Sequence, residues 1–232
     1  VDSAGVFLPL QDQVFPDENH FGRIFYNNAR MSAMGITQVA AVMGPCVAGG
    51  AYLPVMCDKF IMVPGASLFL AGPALVEAAI GEKTDIEPLG GATMHSTISG
   101  VIDYKVANDD EALATIRSLV EKFAPTKGKK NIYSRVESKE PKFDMSEIFG
   151  ILPADRAKPY NTYELIARLV DGSEFEEYKP DFGKTIVCGY ARVDGWSVGI
   201  VANNRQIVKS GKGEMQVGGV IYSDSADKAA RF

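Results

Sequence analysis

Between residues 21 and 34 the apolar positions Phe21, Ile24, Phe25, Ala29 and Met31 fall on one side of a helical repeat, and Gly35 follows as a natural stop. An amphipathic helix is predicted there. Residues 38–43 then form a short apolar run bounded by Gly44 and Pro45, the pattern of a buried strand, and Gly49 with Gly50 opens a second helical stretch toward Met56. Residues 60–63 and 67–70 repeat the strand character and residues 73–80 the helical one. Residues 109–123 read as a longer helix started by Asn108 or Asp109. Such alternation predicts an α/β layered fold.

Beyond residue 124 the pattern changes. Lysine, proline, serine and glutamate dominate, with Pro125, Pro141, Pro153 and Pro159 and the basic stretch from Lys127 to Lys130, which reads as a solvated loop. Residues 125–160 are therefore expected to link a first domain, 1–124, to a second that begins within 161–232. In the latter, residues 163–170 read as a helix, and 185–193 with 196–203 as two strands around the hairpin turn Asp194-Gly195. The chain opens on what reads as the end of a strand, lacks an initiator methionine and closes inside a helical pattern, so it is expected to be a fragment of a longer protein.

Composition narrows the function classes. The chain has 232 residues, 46% of them hydrophobic, ample for a packed core. Its 24 basic and 29 acidic residues give a net charge of −5 without a long basic run, which argues against a nucleic-acid or anionic-membrane surface; a site for a phosphate-bearing ligand would have to be local. No apolar stretch reaches the roughly 20 residues of a spanning helix. Cys46, Cys57 and Cys188 are odd in number and widely spaced, suggesting neither a disulfide framework nor a zinc ribbon, and a reducing compartment fits. Cys46 and Cys57 read as small buried hydrophobes. With only His20 and His95, neither a histidine-rich metal site nor a Ser-His-Asp triad is expected, and His95 reads as structural. Ser3 lacks a Gly-x-Ser-x-Gly elbow and reads as a turn residue.

The glycines are more informative. One strand-end loop contains Asp2, Ser3, Ala4, Gly5 and Val6; another runs from Gly44 through Cys46 and Ala48 to Gly49 and Gly50, and each precedes a helix. Backbone N–H groups at such loops carry partial positive charge, and a residue without Cβ lets a ligand oxygen approach. An oxyanion hole made without side chains is one reading. Tight helix–strand packing permitted by Ala48-Gly49-Gly50-Ala51 is the other.

The order of motifs adds a resemblance. Val1 to Pro9, Val14 to Asp17, His20 to Asn27, Met43 to Cys46, Ala48 to Tyr52, Phe69 to Pro73, Leu89 to Ala92 with His95, and Ser99 to Val101 resemble, in order and spacing, the carboxyltransferase (beta) subunits of biotin-dependent acyl-CoA carboxylases. The similarity continues through Leu169 to Ser173, Gly189 to Arg192, Gly199 to Asn203 and Gly218 to Val220. Asp17 and His20 to Asn27 are closest to the methylcrotonoyl-CoA branch.

The resemblance implies a ClpP/crotonase-like α/β fold, the chain covering the latter part of the N-terminal carboxyltransferase domain and the start of the C-terminal one. It implies transfer of a carboxyl group from carboxybiotin to an acyl-CoA, methylcrotonoyl-CoA first, with propionyl-CoA or another acyl-CoA open. Biotin itself serves as base in that chemistry, so the protein's share is positioning and oxyanion stabilisation. By position, the N–H groups of Val6, Gly49 and Gly50 are the expected oxyanion donors, and Gly5, Ala48, Ala51 and Tyr52 the substrate-binding residues. Tyr52, Phe69, Leu70 and Leu75 are candidates for an acyl pocket, although ordinary packing explains them as well. Biotin would arrive on a biotin carboxylase/biotin carrier (alpha) subunit, and no metal is expected in this chain.

The implied assembly is a homo-oligomer, a trimer of dimers, with no nucleic-acid or membrane partner. It would be cytoplasmic in a bacterium and in the mitochondrial matrix in a eukaryote. A decarboxylase subunit of the glutaconyl-CoA type and a non-catalytic assembly scaffold are the alternative readings. One departure stands out: residues 205–216 lengthen the connection before Gly218 relative to the methylcrotonoyl-CoA branch and read as an exposed loop.

Overall fold

In the computed structural model, which describes residues 1–15, 19–123 and 135–232, the short apolar runs pair as parallel strands. Along the first part of the chain the elements are α1 (Gln11–Val14), α2 (Phe21–Ala33), β1 (Val39–Val42), β2 (Pro45–Val47), α3 (Gly49–Val55), β3 (Lys59–Met62), β4 (Ser67–Phe69), α4 (Pro73–Ile80), α5 (Ile86–Gly90), α6 (Ala92–Thr97), β5 (Tyr104–Lys105) and α7 (Asp109–Lys122). Strands β1, β3 and β5 form one sheet in that order, with Val42 opposite Met62 and Ile61 opposite Tyr104. Val42, Ile61 and Met62 are completely buried, as expected of strands covered on both faces.

A second ladder carries the glycine loops. Strand β2 pairs with β4, Pro45 opposite Ser67 and Val47 opposite Phe69. On the other edge of β2 the first residues of the chain add a short extended segment: Met43 N–H donates to the Val1 carbonyl (3.1 Å), Ser3 N–H to Pro45 (2.8 Å) and Val47 N–H to Ser3 (2.9 Å). The strand end expected at Val1-Asp2-Ser3 is therefore present, as a bridge between Ser3 and Cys46. Helix α2 is anchored to the start of β1, where the Asn28 amide donates to Gln38 Oε1 (2.9 Å) and the Gln38 amide donates back to the Asn28 carbonyl (3.1 Å). At α7 it is Asn108 that caps, its Oδ1 accepting the Glu111 N–H at 2.9 Å.

The chain divides into two compact units, Val1–Glu121 and Lys122–Phe232. In the second, α8 (Ile148–Ile151) and α9 (Thr162–Ala167) precede an antiparallel sheet of β6 (Phe175–Tyr178), β7 (Ile186–Val193) and β8 (Trp196–Asn203), followed by β9 (Val208–Lys209), β10 (Met215–Gln216) and α10 (Ser223–Arg231). Ile166, Val170, Val187 and Ala191 form its core, with Phe175 and Ile200 packed against them. The Asp194-Gly195 turn joins β7 to β8 with both residues at positive φ (51° and 76°), the conformation of a two-residue hairpin turn. The buried carboxylate of Asp171 holds the turn, accepting the N–H groups of Asp194 (2.8 Å) and Gly195 (2.7 Å).

Three sequence expectations change. The helix expected over 163–170 is capped by Asn161 and ends at Ala167, and a 3-10 turn, Asp171–Ser173, with Gly172 at φ +59°, follows it. The described part of the expected linker is not a bare spacer: Lys142 N–H donates to Ser173 Oγ (2.9 Å), and Arg168 pairs with Glu147 (2.6 Å) and Glu164 (2.7 Å) while stacking on Phe143. The lysines from 127 to 130 lie outside the described residues. Within 205–216, expected as an exposed loop, β9 and β10 pair as a small hairpin and Gln216 is buried.

Burial pushes the Cys46, Cys57 and Cys188 thiols above their usual range, consistent with packing cysteines. Among the described residues no helix is long and apolar enough to cross a membrane, and no group of three or more His, Cys, Asp and Glu is placed to hold a metal ion.

Candidate functional site

The β2 ladder closes when Ala48 N–H donates to the Phe69 carbonyl (3.1 Å), and the chain must then turn at once into α3. Ala48 makes that turn at φ 52°, ψ −123°, a conformation that glycine tolerates and other residues adopt only under strain of about 1–3 kcal/mol. Replacing Ala48 by glycine is expected to remove that strain against a backbone-entropy cost of about 0.5–1 kcal/mol. The first unit should therefore be as stable as the parent or more so, by about 1 kcal/mol, in a denaturant titration. A loss exceeding about 1 kcal/mol would show that the Ala48 methyl group is needed for packing.

Close approach explains the neighbouring glycines. A Cβ on Gly49 would stand 2.5 Å from the Phe21 ring, and one on Gly50 would stand 2.4 Å from Ser3 Oγ and 3.0 Å from the Ser3 carbonyl oxygen. Gly5, at φ +86°, has the Val47 carbonyl oxygen 3.0 Å from where its Cβ would be. The two glycine loops singled out in the sequence thus lie against each other. Ser3 is occupied at this junction as a turn residue, its Oγ accepting the Gly5 N–H at 3.3 Å.

Among the described residues, the N–H groups of Val6, Gly49 and Gly50 donate to no carbonyl or side chain. Those of Gly49 and Gly50 are in the first turn of α3, where an N–H has no partner within the helix.

Beside this junction is an open cavity of about 430 Å³ lined by Phe15, Phe21, Phe25, Tyr52 and Leu70, with Gly22, Ala48 and Gly49 completing its wall. Its aromatic rings meet edge to face: Phe15 on Phe21 (5.8 Å between centroids), Phe21 on Phe25 (5.0 Å) and Phe25 on Tyr52 (6.2 Å). Among the described residues no carboxylate, imidazole, amine or thiol lines it, and the Tyr52 phenol is its one ionisable group. The arrangement can hold an apolar group against an aromatic wall with peptide N–H donors close by.

Of the residues expected at the site, Ala48, Gly49 and Tyr52 line this cavity, whereas Gly5, Val6, Gly50 and Ala51 do not. Gly50 and Ala51 are buried on the inner side of α3. Leu70 lines the cavity, but Phe69 and Leu75 do not. Sequence reasoning missed Phe15, Phe21 and Phe25 as wall residues, because apolar positions on an amphipathic helix read first as core. The available signal was the aromatic pair Phe21 and Phe25 one turn apart on α2, with Phe15 just after α1. His95 is engaged through both ring nitrogens, Nε2 with the Leu68 carbonyl and Nδ1 with Ser99 Oγ, each at 2.8 Å, and thereby ties α6 to β4. A side chain at Gly50 would meet Ser3 before it met any ligand, so a substitution there disturbs the fold itself.

Comparison with known proteins places these features. The carboxyl transferase domain family matches residues 1–232. The biotin-dependent 3-methylcrotonyl-coenzyme A carboxylase beta1 subunit of Mycobacterium tuberculosis (strain ATCC 25618 / H37Rv) is 48% identical over all of this chain and 41% of its own length. The mitochondrial methylcrotonoyl-CoA carboxylase beta chain of Dictyostelium discoideum is 46% identical over all of this chain and 37% of its length. This chain therefore spans about two fifths of the length of these relatives. Among solved structures, transcarboxylase 12S with methylmalonyl-coenzyme A bound superposes with a TM-score of 0.77 at 32% identity, over 91% of this chain and 39% of that one. The crotonase-like α/β fold expected from the sequence is the fold they share.

Proposed function

Because this chain belongs to the carboxyl transferase domain family, which covers it from end to end, we propose that it supplies the acyl-CoA side of the carboxyltransferase component of a biotin-dependent acyl-CoA carboxylase. The observation that carries this reading is the apolar aromatic cavity beside peptide N–H groups that have no partner among the described residues. The acyl chain lies against Phe21, Phe25 and Tyr52, and the thioester oxygen turns toward the N–H groups of Val6, Gly49 and Gly50. Gly5, Ala48 and Ala51 keep the two loops close enough for that. As negative charge develops on the oxygen, fixed donors favour the enolate more than the thioester, and losing one such donor typically costs about 3 kcal/mol of transition-state stabilisation.

Biotin, brought by a biotin-carrying alpha subunit, supplies the carboxyl group and the base when bound. A wall whose described residues carry no carboxylate, imidazole or amine fits a partner group that brings its own base. The chain's residues orient the acyl group, exclude water from the α-carbon and polarise the thioester.

Methylcrotonoyl-CoA is the preferred substrate. Its branched, unsaturated acyl group suits the aromatic walls, and the two curated relatives described above are methylcrotonyl-CoA carboxylase subunits. The assembly proposed is a trimer of dimers, in a bacterial cytoplasm or a mitochondrial matrix.

The test uses the longer parent protein assembled with its biotin subunit and measures avidin-sensitive carboxylation of a panel of acyl-CoAs. Methylcrotonoyl-CoA should give the highest kcat/KM. Phe21→Ala, which enlarges the wall, should shift preference toward longer acyl chains by about tenfold in relative kcat/KM. Absence of turnover with every acyl-CoA would sink the assignment, and an unchanged preference in the variant would separate this cavity from the acyl group.

A further inference from the structure

A second cavity, of about 460 Å³, lies wholly within the second unit and has a different chemistry. Arg156, Lys158 and Arg205 line it together with Tyr160 and Asn203, over an apolar floor of Leu152 and Pro153, and no carboxylate takes part. In a chain with more acidic than basic residues, three cations line one concavity with no carboxylate in its wall, the nearby Asp155 being turned to its own loop, and an anion relieves their repulsion. Among the described residues none of the three forms an ion pair.

The cradle is also built. Arg205 Nη2 donates to the Arg156 carbonyl (3.0 Å), joining two loops that are 49 residues apart. The loop that presents Arg205 is pinned through the buried Asn204, whose amide donates to the Lys184 carbonyl (2.9 Å) and whose Oδ1 accepts the Gln206 N–H (3.2 Å). Gly219, at φ +83°, leaves room for the guanidinium, since a Cβ there would stand 2.5 Å from Arg205 Nη1. On the opposite side, Asp155 shapes the turn carrying Arg156 and Lys158 by accepting the Ala157 N–H (2.9 Å) on its side chain and the Lys158 N–H (3.1 Å) on its carbonyl.

We propose that this cleft is a binding site for a phosphorylated small molecule, its phosphate or pyrophosphate held by Arg156, Lys158 and Arg205 and its organic part resting on Leu152, Pro153 and Tyr160. Arginine suits the role because its planar fork grips phosphate oxygens two at a time. The cavity is larger than a lone phosphate requires, and the apolar floor gives the remainder of the ligand a surface. The inference does not depend on the carboxyl-transfer reading.

Calorimetric titration of the chain with inorganic pyrophosphate and, separately, with adenosine 5′-diphosphate provides the test. Saturable binding is expected, weakened at least about fivefold by Arg156→Gln and by Lys158→Gln, while Lys212→Gln on the exposed turn of the β9–β10 hairpin stays within about twofold. Arg205→Gln should have the largest effect. Because that variant also loses the bond to the Arg156 carbonyl, Lys158→Gln is the deciding comparison. Tighter binding of the nucleotide than of pyrophosphate is expected, and binding of the nucleotide no tighter than of pyrophosphate would overturn the role given to the apolar floor. Absence of saturable binding, or equal weakening by Lys212→Gln, would overturn the proposal in favour of diffuse surface charge.

Discussion

Replacing Gly50 by alanine is expected to lower the kcat of carboxyl transfer in the assembled parent enzyme by about 100-fold or more. The added Cβ would meet Ser3 Oγ at 2.4 Å, Ser3 Cβ at 2.7 Å and the Ser3 carbonyl oxygen at 3.0 Å, so the first turn of α3 and the strand-like segment at Ser3 must move apart. Ser3 is fixed by hydrogen bonds to Pro45 and Val47, leaving little room for it to yield alone. A shift of even a few tenths of an ångström separates the Gly49 and Gly50 amides from Val6, and for the oxyanion donors proposed above misplacing one would cost about 10²–10³ in kcat. The same collision should cost about 1–3 kcal/mol of stability, as overpacking commonly does.

The two effects are separable by assaying well below the melting transition with Gly150→Ala as the control. Gly150 has nothing within 4 Å of its would-be Cβ. Retention of kcat within threefold in Gly50→Ala would remove this turn from the reaction.

The second large effect belongs to a residue that touches no proposed ligand. Asp171→Ala is expected to destabilise the second unit by about 3 kcal/mol, read as a lowered denaturant midpoint with little change in slope. The carboxylate is buried and accepts two peptide N–H groups, those of Asp194 and Gly195, at 2.8 and 2.7 Å. Its loss strands both donors at the tip of the longest hairpin in the sheet, and each hydrogen bond to a charged acceptor contributes about 1.5–3 kcal/mol. Asp171→Asn retains one acceptor oxygen and should recover part of the loss. A midpoint within measurement error of the parent would mean that water replaces the carboxylate at the turn.

Much of the fold was legible where local chemistry and burial agree. The apolar face from Phe21 to Met31 marks α2, and Asp194-Gly195 marks a hairpin turn because few other residue pairs adopt two successive positive φ angles without strain. Where tertiary contacts decide, the sequence said less. Ile86–Gly90 contains Pro88 and ends at a glycine pair, so nothing local announces α5. Phe175–Tyr178 has two adjacent glutamates and becomes β6 only because β7 lies beside it.

The site divides in the same way. Gly49 and Gly50 were visible as glycines, and their neighbours Phe21 and Ser3 are long-range facts that only the folded chain supplies. The strained backbone at Ala48 was hidden because alanine carries no signature of positive φ. Arg156, Lys158 and Arg205 are separated by too much chain to read as a cluster.

The amides of Val6, Gly49 and Gly50, which have no partner among the described residues, also bear on how such a site is surveyed. Alanine scanning works by deleting atoms beyond Cβ. At Val6 it would leave the peptide donor in place, and at a glycine it adds an atom and reports a collision, so a scan would record a tolerant position beside two fragile ones and see no chemistry in either. Exchanging single peptide bonds for esters, which erases one N–H and keeps every side chain, addresses the donors directly. On the proposed reading, drift in the Val6 side chain would leave the donor in place, while the path of the main chain through Ala48 is what selection would have to hold.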